Sequence, residues 1–347
     1  MSERTAPPTI RDVARRAGVS TATVSRVLAG IGNPKAETAQ AVMSAVGQLD
    51  YRPSAVARSL RMRRTNTLGL IVTDIQNPFF PELVQAADNA AREIGYSILL
   101  GSAAYDEHRA VHYLDLMADR RVDGMIVASS QLSEESWRWL ATAPVPVVVV
   151  NGEPANVPIN VVTSDNAGGA RLAAGHLLGL GHRKIAYIRG QEGFTADLPR
   201  FEGFRAACRE AGIPAADLVE IRGDGLFEGG ERAMTELLAI RPDITAVAAH
   251  NDVTAIGAMR ALRAARRRVP QEISVIGCDD IAAASWVVPA LTTVEQQKAV
   301  MGRMAVQRLM DLLDDPESLV PRETVLLPML LRVRESTGPA PDAGAVS

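Results

Sequence analysis

Along residues 10–49 apolar side chains recur every three or four positions, the spacing that turns one face of an α-helix inward. Ile10, Val13, Ala14 and Ala17 form the first such face, and Thr9 followed by Asp12 resembles a capping box with Asp in place of Glu. Gly18 follows at once, suited to the left-handed backbone of a tight turn. Ser20 then caps a second helix whose inward stripe is Val24, Val27 and Leu28. A third is expected to start at Asn33 and Pro34, bringing Val42, Val46 and Leu49 against the other two. Two short helices joined tightly through Gly18 make a helix-turn-helix. The outward face of the second presents Thr21, Ala22, Ser25 and Arg26, groups that suit a major groove. Residues 53–61 read as a helix of about two turns, too short to hold on its own.

From Leu68 the pattern changes. Short apolar runs at 68–72, 97–100, 125–127 and 145–150 read as buried strands, with helical stretches near 81–94, 108–118 and 134–140 between them. A second series follows at 184–188, 219–221, 246–249 and 274–277, again with helices between. Strands joined by crossover helices make parallel sheets. Two such series predict two similar lobes facing each other across a cleft, with binding at the carboxyl ends of the strands.

Composition changes the picture when the chain is divided. The 347 residues are 47% hydrophobic, enough to fill two or three domains, and the formal net charge is only −3. Residues 1–64, however, hold eleven Lys and Arg against four Asp and Glu, a net of +7, which leaves −10 on the remainder. A basic head on an acidic body points to a polyanion, and the helix-turn-helix makes that partner double-stranded DNA. Cys208 and Cys278, far apart in the chain, fit a reducing compartment rather than a disulfide framework or zinc cluster. The polar first eight residues lack the apolar core of a secretory signal, and no apolar run is long enough to span a bilayer. A cytoplasmic protein without a membrane partner is therefore expected.

Patterns for catalysis and metal binding fail one by one. His108 and His112 stand four apart on a helix, but Arg109 occupies the place of the catalytic Glu and no third ligand is evident. Gly223, Asp224 and Gly225 begin like a dinucleotide loop, yet Glu228 breaks it. No Gly-x-Ser-x-Gly nucleophile turn occurs. No enzyme activity, cofactor or metal is expected.

Two segments, TIRDVARRAGVSTATVSRVLAG at 9–30 and LDYRPSAVARSL at 49–60, resemble the DNA-binding head and hinge of the lac repressor/gal repressor family. The similarity continues to near residue 337. It implies an all-α head over 1–52, a hinge helix and linker over 53–64, and an α/β, periplasmic-binding-protein-like body over 65–337 with parallel sheets. The first lobe would comprise about 65–163 and 297–325, the second about 164–296 and 326–337, followed by a disordered tail over 338–347. By position, Thr21 and Ala22 would face the bases and Arg26 would reach a base edge, Ala22 through apolar contact alone. Ser20, Thr23, Ser25 and Tyr51 would hold phosphates, which set register without reading sequence. By the same resemblance the hinge folds only on DNA, as a pair in the minor groove. Ala57 and Leu60 would face that groove, Leu60 as an unstacking wedge, with Arg58 beside phosphates.

The resemblance also implies a transcription repressor that works as a homodimer on a pseudo-palindromic operator and answers to a small polar effector. Effector contacts fall by position on Phe79, Phe80, Arg200, Asn251 and Asp279, with Asn151 and Gln296 as further candidates. Phe79 and Phe80 either stack on a ligand ring or cap the core of the first body helix. Arg200 offers a fork of donors to hydroxyls or a carboxylate. An Arg, Asn and Asp set leans toward a sugar, with a purine or a phosphorylated ligand left open. Two positions depart from the family pattern: Lys35, where a cap such as Ser is usual, and Gly225, where several members carry a stacking aromatic. Phe227, two residues on, is one replacement for that ring. A solute-binding protein would account for the body alone, and a sugar-processing enzyme would need a catalytic set.

Overall fold

The computed structural model describes residues 8–28, 32, 34–51, 64–129, 132–152, 159–315 and 323–341. The chain divides into two compact units, one through Thr65 and one from Asn66. The smaller unit contains α1 (Ile10–Ala17), α2 (Thr21–Leu28) and α3 (Ala36–Gln48). Asp12 closes the start of α1 by accepting from the backbone N–H of Thr9 at 2.9 Å and from its hydroxyl at 2.6 Å. Gly18 ends that helix at φ 67°, and Ser20 Oγ starts the next by accepting from the N–H of Thr23 at 3.1 Å. Val13, Ala14, Val24, Val42 and Ala45 form the buried centre.

Two expectations shift in this unit. The third helix begins at Ala36 rather than at Pro34, with Lys35 at its cap position and no side-chain bond to the first turn. Tyr51, expected at a phosphate, is buried in the core of the head. The hinge over 53–61, with Ala57, Arg58 and Leu60, lies outside the described residues.

In the larger unit the strands run β1 (Thr67–Val72), β2 (Ser97–Ser102), β3 (Gly124–Ala128), β4 (Val147–Val150), β5 (Asn160–Ser164) and β6 (Ile185–Arg189). They continue with β7 (Leu218–Arg222), β8 (Ala246–Ala249), β9 (Ser274–Asp279), β10 (Thr292–Glu295), β11 (Thr324–Leu327) and β12 (Leu330–Arg332). The helices are α4 (Phe79–Glu93), α5 (Glu107–Asp119), α6 (Glu134–Ala141), α7 (Asn166–Gly179), α8 (Asp197–Glu210), α9 (Phe227–Ile240), α10 (Asp252–Ala264) and α11 (Lys298–Asp314). Side chains of the types that favour this position cap four of them: Asp106, Ser133, Asp165 and Asn251 each accept a backbone N–H three residues on.

The first sheet has the order β11-β5-β4-β3-β1-β2 and every pair in it is parallel. The second has the order β12-β10-β9-β8-β6-β7 and is parallel except at the edge, where β12 runs against β10. Central strands such as β3, β4 and β8 are buried along their whole length, as helices on both faces require. Three connections pass between the lobes: from β5 into α7, from β10 into α11, and from β11 to β12. Because β11 runs to Leu327 in the first sheet, the third passage lies at 328–329, slightly beyond the expected 325–326.

The tail also departs from expectation. Gly338 donates its N–H to Ser274 Oγ at 3.0 Å, its carbonyl accepts from His182 Nε2 at 3.0 Å, and Ala340 donates to the Leu180 carbonyl at 2.8 Å. His182 and Ser274 are fully buried polar groups that need partners, and residues 338–340 supply them. Order therefore extends past the point where composition suggested it would stop.

Candidate nucleic-acid face and inter-lobe cleft

On the head, Thr21, Ala22 and Arg26 are exposed on one side of α2, opposite the buried Val24, while Thr23 and Ser25 are half-buried. Ser20 is exposed, but its hydroxyl lies 2.9 Å from that of Thr23 and also caps the helix. Both hydroxyls are thus oriented by the helix start before any phosphate arrives.

The larger unit brings Phe79, Phe80, Asn151, Arg200, Asn251 and Asp279 to one small cavity between the lobes, about 30 Å³ and partly open to solvent. Each stands where a strand ends or a helix begins. Phe79 and Phe80 open α4, meet edge to face at 5.1 Å, and belong to the buried core while also walling the cavity. The two readings of this pair are therefore compatible. Asn151 follows β4 at φ 58°, and its buried Oδ1 has no hydrogen-bond partner.

From the other side, Arg200 on α8 donates through Nε to Asn166 Oδ1 at 2.8 Å and through Nη1 to the His250 carbonyl at 2.7 Å. Its Nη2 lies 3.6 Å from Asp279 Oδ1. Asp279 ends β9 at φ 123°, a strained backbone for any residue but glycine. It is held there by Gln296, which donates to Oδ1 at 2.6 Å, and by Lys298, whose Nζ donates to its carbonyl at 2.6 Å. Gln296 Oε1 in turn accepts from Ser164 at 2.9 Å, so two of the three inter-lobe connections are tied to Asp279. Among the described residues nothing hydrogen-bonds to Asp279 Oδ2. The amide of Asn251 is engaged at both ends, accepting from Thr254 N–H at 2.9 Å and donating to the Gly225 carbonyl at 2.9 Å.

Next to this floor, the Asp252 carboxyl is fully buried and accepts from the Thr293 hydroxyl at 2.5 Å and from the Ile281 N–H at 2.9 Å. Burial, with the charge of Asp279 nearby, pushes it up to about 7. It fixes the loop that follows Asp279 rather than facing the cavity.

Gly225 resolves into a substitution between loops. Its φ is 80°, and a Cβ there would sit 2.7 Å from Cε2 of Phe194, a ring delivered from the loop after β6. Phe194 thus fills the space that a side chain at 225 would take, and it stacks on Tyr105 of the other lobe at 5.8 Å and 19°. Burial pushes the Tyr105 hydroxyl up to about 12. Phe227 plays no part: it lies at the start of α9 with the Arg260 guanidinium 5.9 Å from its ring. Phe194, Tyr105 and His250 are cavity residues that sequence reasoning missed. The empty position at Gly225 was the one signal that a ring had to come from elsewhere.

Among the described residues no group of three His, Cys, Asp or Glu side chains could hold a metal ion, and no helix is long and apolar enough to cross a membrane.

Comparison with known proteins gives the same two parts. Residues 9–54 match the model for bacterial regulatory proteins of the lacI family, and residues 174–337 match that for a periplasmic binding protein-like domain. The ribose operon repressor of Escherichia coli (strain K12) is 37% identical over 326 residues, 93% of this chain and 98% of that protein. Among solved structures, the lac repressor dimer bound to operator and the anti-inducer ONPF is similar with a TM-score of 0.87 at 28% identity, covering 96% of this chain and 100% of that one. A LacI family transcriptional regulator from Enterococcus faecium with bound ribose is similar with a TM-score of 0.71 at 30% identity, covering 79% of this chain and 99% of that one.

Proposed function

The chain belongs to the lacI family of bacterial regulatory proteins and is a DNA-binding transcriptional repressor under the control of a small polar effector; we propose that this effector is a neutral monosaccharide taken up between the lobes. The observation that carries the sugar reading is the polarity of the cavity. Among the described residues neither Asn151 Oδ1 nor Asp279 Oδ2 accepts a hydrogen bond, and Arg200 and Asp279 leave little net charge for an ionic ligand to meet. Polyhydroxy compounds supply donors to such acceptors, and their apolar ring faces suit aromatic walls such as Phe80 and Phe194. Ribose in the Enterococcus faecium relative is consistent with that chemistry.

On the DNA side, Thr21, Ala22 and Arg26 read base edges in the major groove while Ser20, Thr23 and Ser25 serve the phosphates. Ala57, Arg58 and Leu60 belong to the minor-groove hinge, two copies meeting at the centre of a pseudo-palindromic operator. The protein works in the cytoplasm as a dimer. Sugar binding changes lobe closure, and with it the spacing at which two hinges can pair; a coupling of ~1–3 kcal/mol suffices for a 5- to 150-fold change in operator affinity.

The test has two steps. Selection of binding sites from random DNA with the full chain should return a near-palindrome. Calorimetry should then find a neutral aldose bound in preference to its phosphate or its aldonate, with Asp279→Asn weakening it at least ~10-fold, about 1.4 kcal/mol. A sugar phosphate as the tightest ligand, or no sugar at all, would refute the effector assignment.

A further inference from the structure

The wall of the cavity opposite Asn151 contains an imidazole whose surroundings are more elaborate than a core histidine needs. His250 follows β8 and is 5% exposed. Its ring lies flat on the backbone of Gly190: a Cβ on that glycine would come within 2.9–3.0 Å of Cδ2, Cγ and Cε1 together, so no side chain fits beneath the ring. Phe194 packs at its edge with ring centroids 5.9 Å apart, and Arg200 anchors its backbone carbonyl at 2.7 Å. The ring is therefore fixed in plane and in position.

Behind it stands a buried chain of charges. Nδ1 of His250 is 3.5 Å from Asp197 Oδ1, which also accepts from the Gly190 N–H at 2.8 Å. Asp197 Oδ2 accepts from Arg189 Nε at 3.0 Å and Nη2 at 2.5 Å, and Arg189 Nη1 donates to Glu220 at 2.7 Å. Burial works against the charge on Asp197, but the nearby His250 imidazole, the Arg189 guanidinium and the Gly190 N–H outweigh it and hold the carboxyl far below its usual range. Nδ1 makes no hydrogen bond among the described residues, but the carboxylate 3.5 Å from it favours, through its charge, a proton on that nitrogen, which leaves the lone pair on Nε2. Among the described residues no group hydrogen-bonds to Nε2, and the residue lines the cavity.

We propose that His250 is a specificity-determining effector contact, a neutral acceptor for one sugar hydroxyl, with Asp197 and Arg189 as the positioning residues that set its tautomer. The proposal rests on the sugar reading of the cleft and adds a third acceptor to Asp279 Oδ2 and Asn151 Oδ1. Four charged groups surround the ring: Asp197 and Arg200 from α8, Arg189 behind Asp197 from β6, and Asp279 from β9. Burial lowers the His250 pKa below the ordinary value near 6.5, so the ring is neutral across the physiological range. Below that point Nε2 gains a proton and turns from acceptor to donor. Effector affinity is then flat at neutral pH and falls in acid, as the pH passes down through the lowered value.

The experiment is calorimetry on the full chain with D-ribose, D-xylose, L-arabinose, D-glucose and D-galactose, repeated with His250→Leu and His250→Gln. For the sugar that the wild type binds tightest, His250→Leu should lose ~5- to 150-fold in affinity, the effect of leaving a buried polar contact unmade. His250→Gln, which keeps an acceptor within reach, should recover part of the loss and should abolish the fall in affinity at acid pH. Nitrogen NMR of the unliganded wild type should find Nδ1 protonated and Nε2 bare, and Asp197→Asn should shift that tautomer. The NMR and the wild-type pH profile decide the matter even if His250→Leu does not fold. Unchanged affinity in His250→Leu, or a proton found on Nε2, overturns the role of His250 and leaves the sugar reading standing. A wild type that binds none of these sugars overturns both.

Discussion

Removing Arg189 tests the buried charge chain as a structural element. In Arg189→Met the apolar stem is approximately kept, but Asp197, 3% exposed, loses the two guanidinium bonds to its Oδ2 and is left as a buried carboxylate with the exposed Arg222 guanidinium 3.6 Å away. Breaking one partner out of a buried pair costs about 3–5 kcal/mol, mostly because the remaining charge is left without compensation. For a body of this size, at roughly 2–4 °C per kcal/mol, the melting temperature should fall by ~6–20 °C. The size of the gap should depend on pH, and the sign is fixed. In the wild type the Asp197 carboxyl is held far below its unfolded value, so its contribution is present above the ordinary aspartate range near 4 and is lost as the pH falls through the folded value. In the variant the unpaired carboxyl takes up a proton readily, so the gap should narrow as the pH approaches 4 and close only as the pH falls on through the folded wild-type value. Replacing both partners, Arg189→Met with Asp197→Leu, should recover more than half of the loss, since no orphaned charge remains. Melting curves at pH 7.5 and 4.5 for the three variants measure all of this. A single-variant loss under ~1 kcal/mol at pH 7.5, typical of an exposed pair, would refute the reasoning.

Three further outcomes follow from positions described above. Gly225→Ala should cost ~1–2 kcal/mol for a side chain at φ 80° and should weaken sugar binding by pushing on Phe194, seen as a lower melting point together with a higher Kd in calorimetry. Asp252, raised to about 7, makes the wild type lose stability as the pH climbs from near 4 through 7; Asp252→Asn should not titrate, so its urea midpoint should gain on the wild type between pH 5 and 8, and a constant difference would count against the raised value. Ser20→Ala removes the cap on the Thr23 N–H, which should lower head stability by ~1 kcal/mol and weaken operator binding evenly across operator sequences in a fluorescence titration.

Much of the fold could be read from local pattern, because the responsible forces are local. Gly18, Ser20 and the Val24 stripe specify the helix-turn-helix over a few residues, and the apolar runs at β1, β3 and β8 are long enough to mark buried strands. The strands that periodicity did not find, β5, β10, β11 and β12, are three to five residues long; β5 and β10 mix Asn, Thr, Ser or Glu with Val. They adjoin the passages between lobes, and partners distant in sequence supply their pairing. The cleft divided along the same line. Arg200 and Asp279 sit at motif positions and could be found by resemblance. Phe194 and His250 could not: one is significant only because position 225, thirty-one residues away, is empty, and the other only because Gly190 and Asp197 cradle it. Tyr51 failed for the converse reason, since position alone does not reveal that a ring is needed to close a small core.

The threading of the last strands through both sheets bears on how the protein is made. Each sheet is completed by a strand from the final part of the described chain, β11 in one and β12 in the other, whereas the head is a compact unit ending near Thr65. At ~5–20 residues per second, some 15–60 s of translation separate the end of the helix-turn-helix from the last strand. Throughout that interval a nascent chain carries a finished DNA-reading unit and neither finished lobe. A premature stop before residue 324 would release a head that no effector bound between the lobes could control.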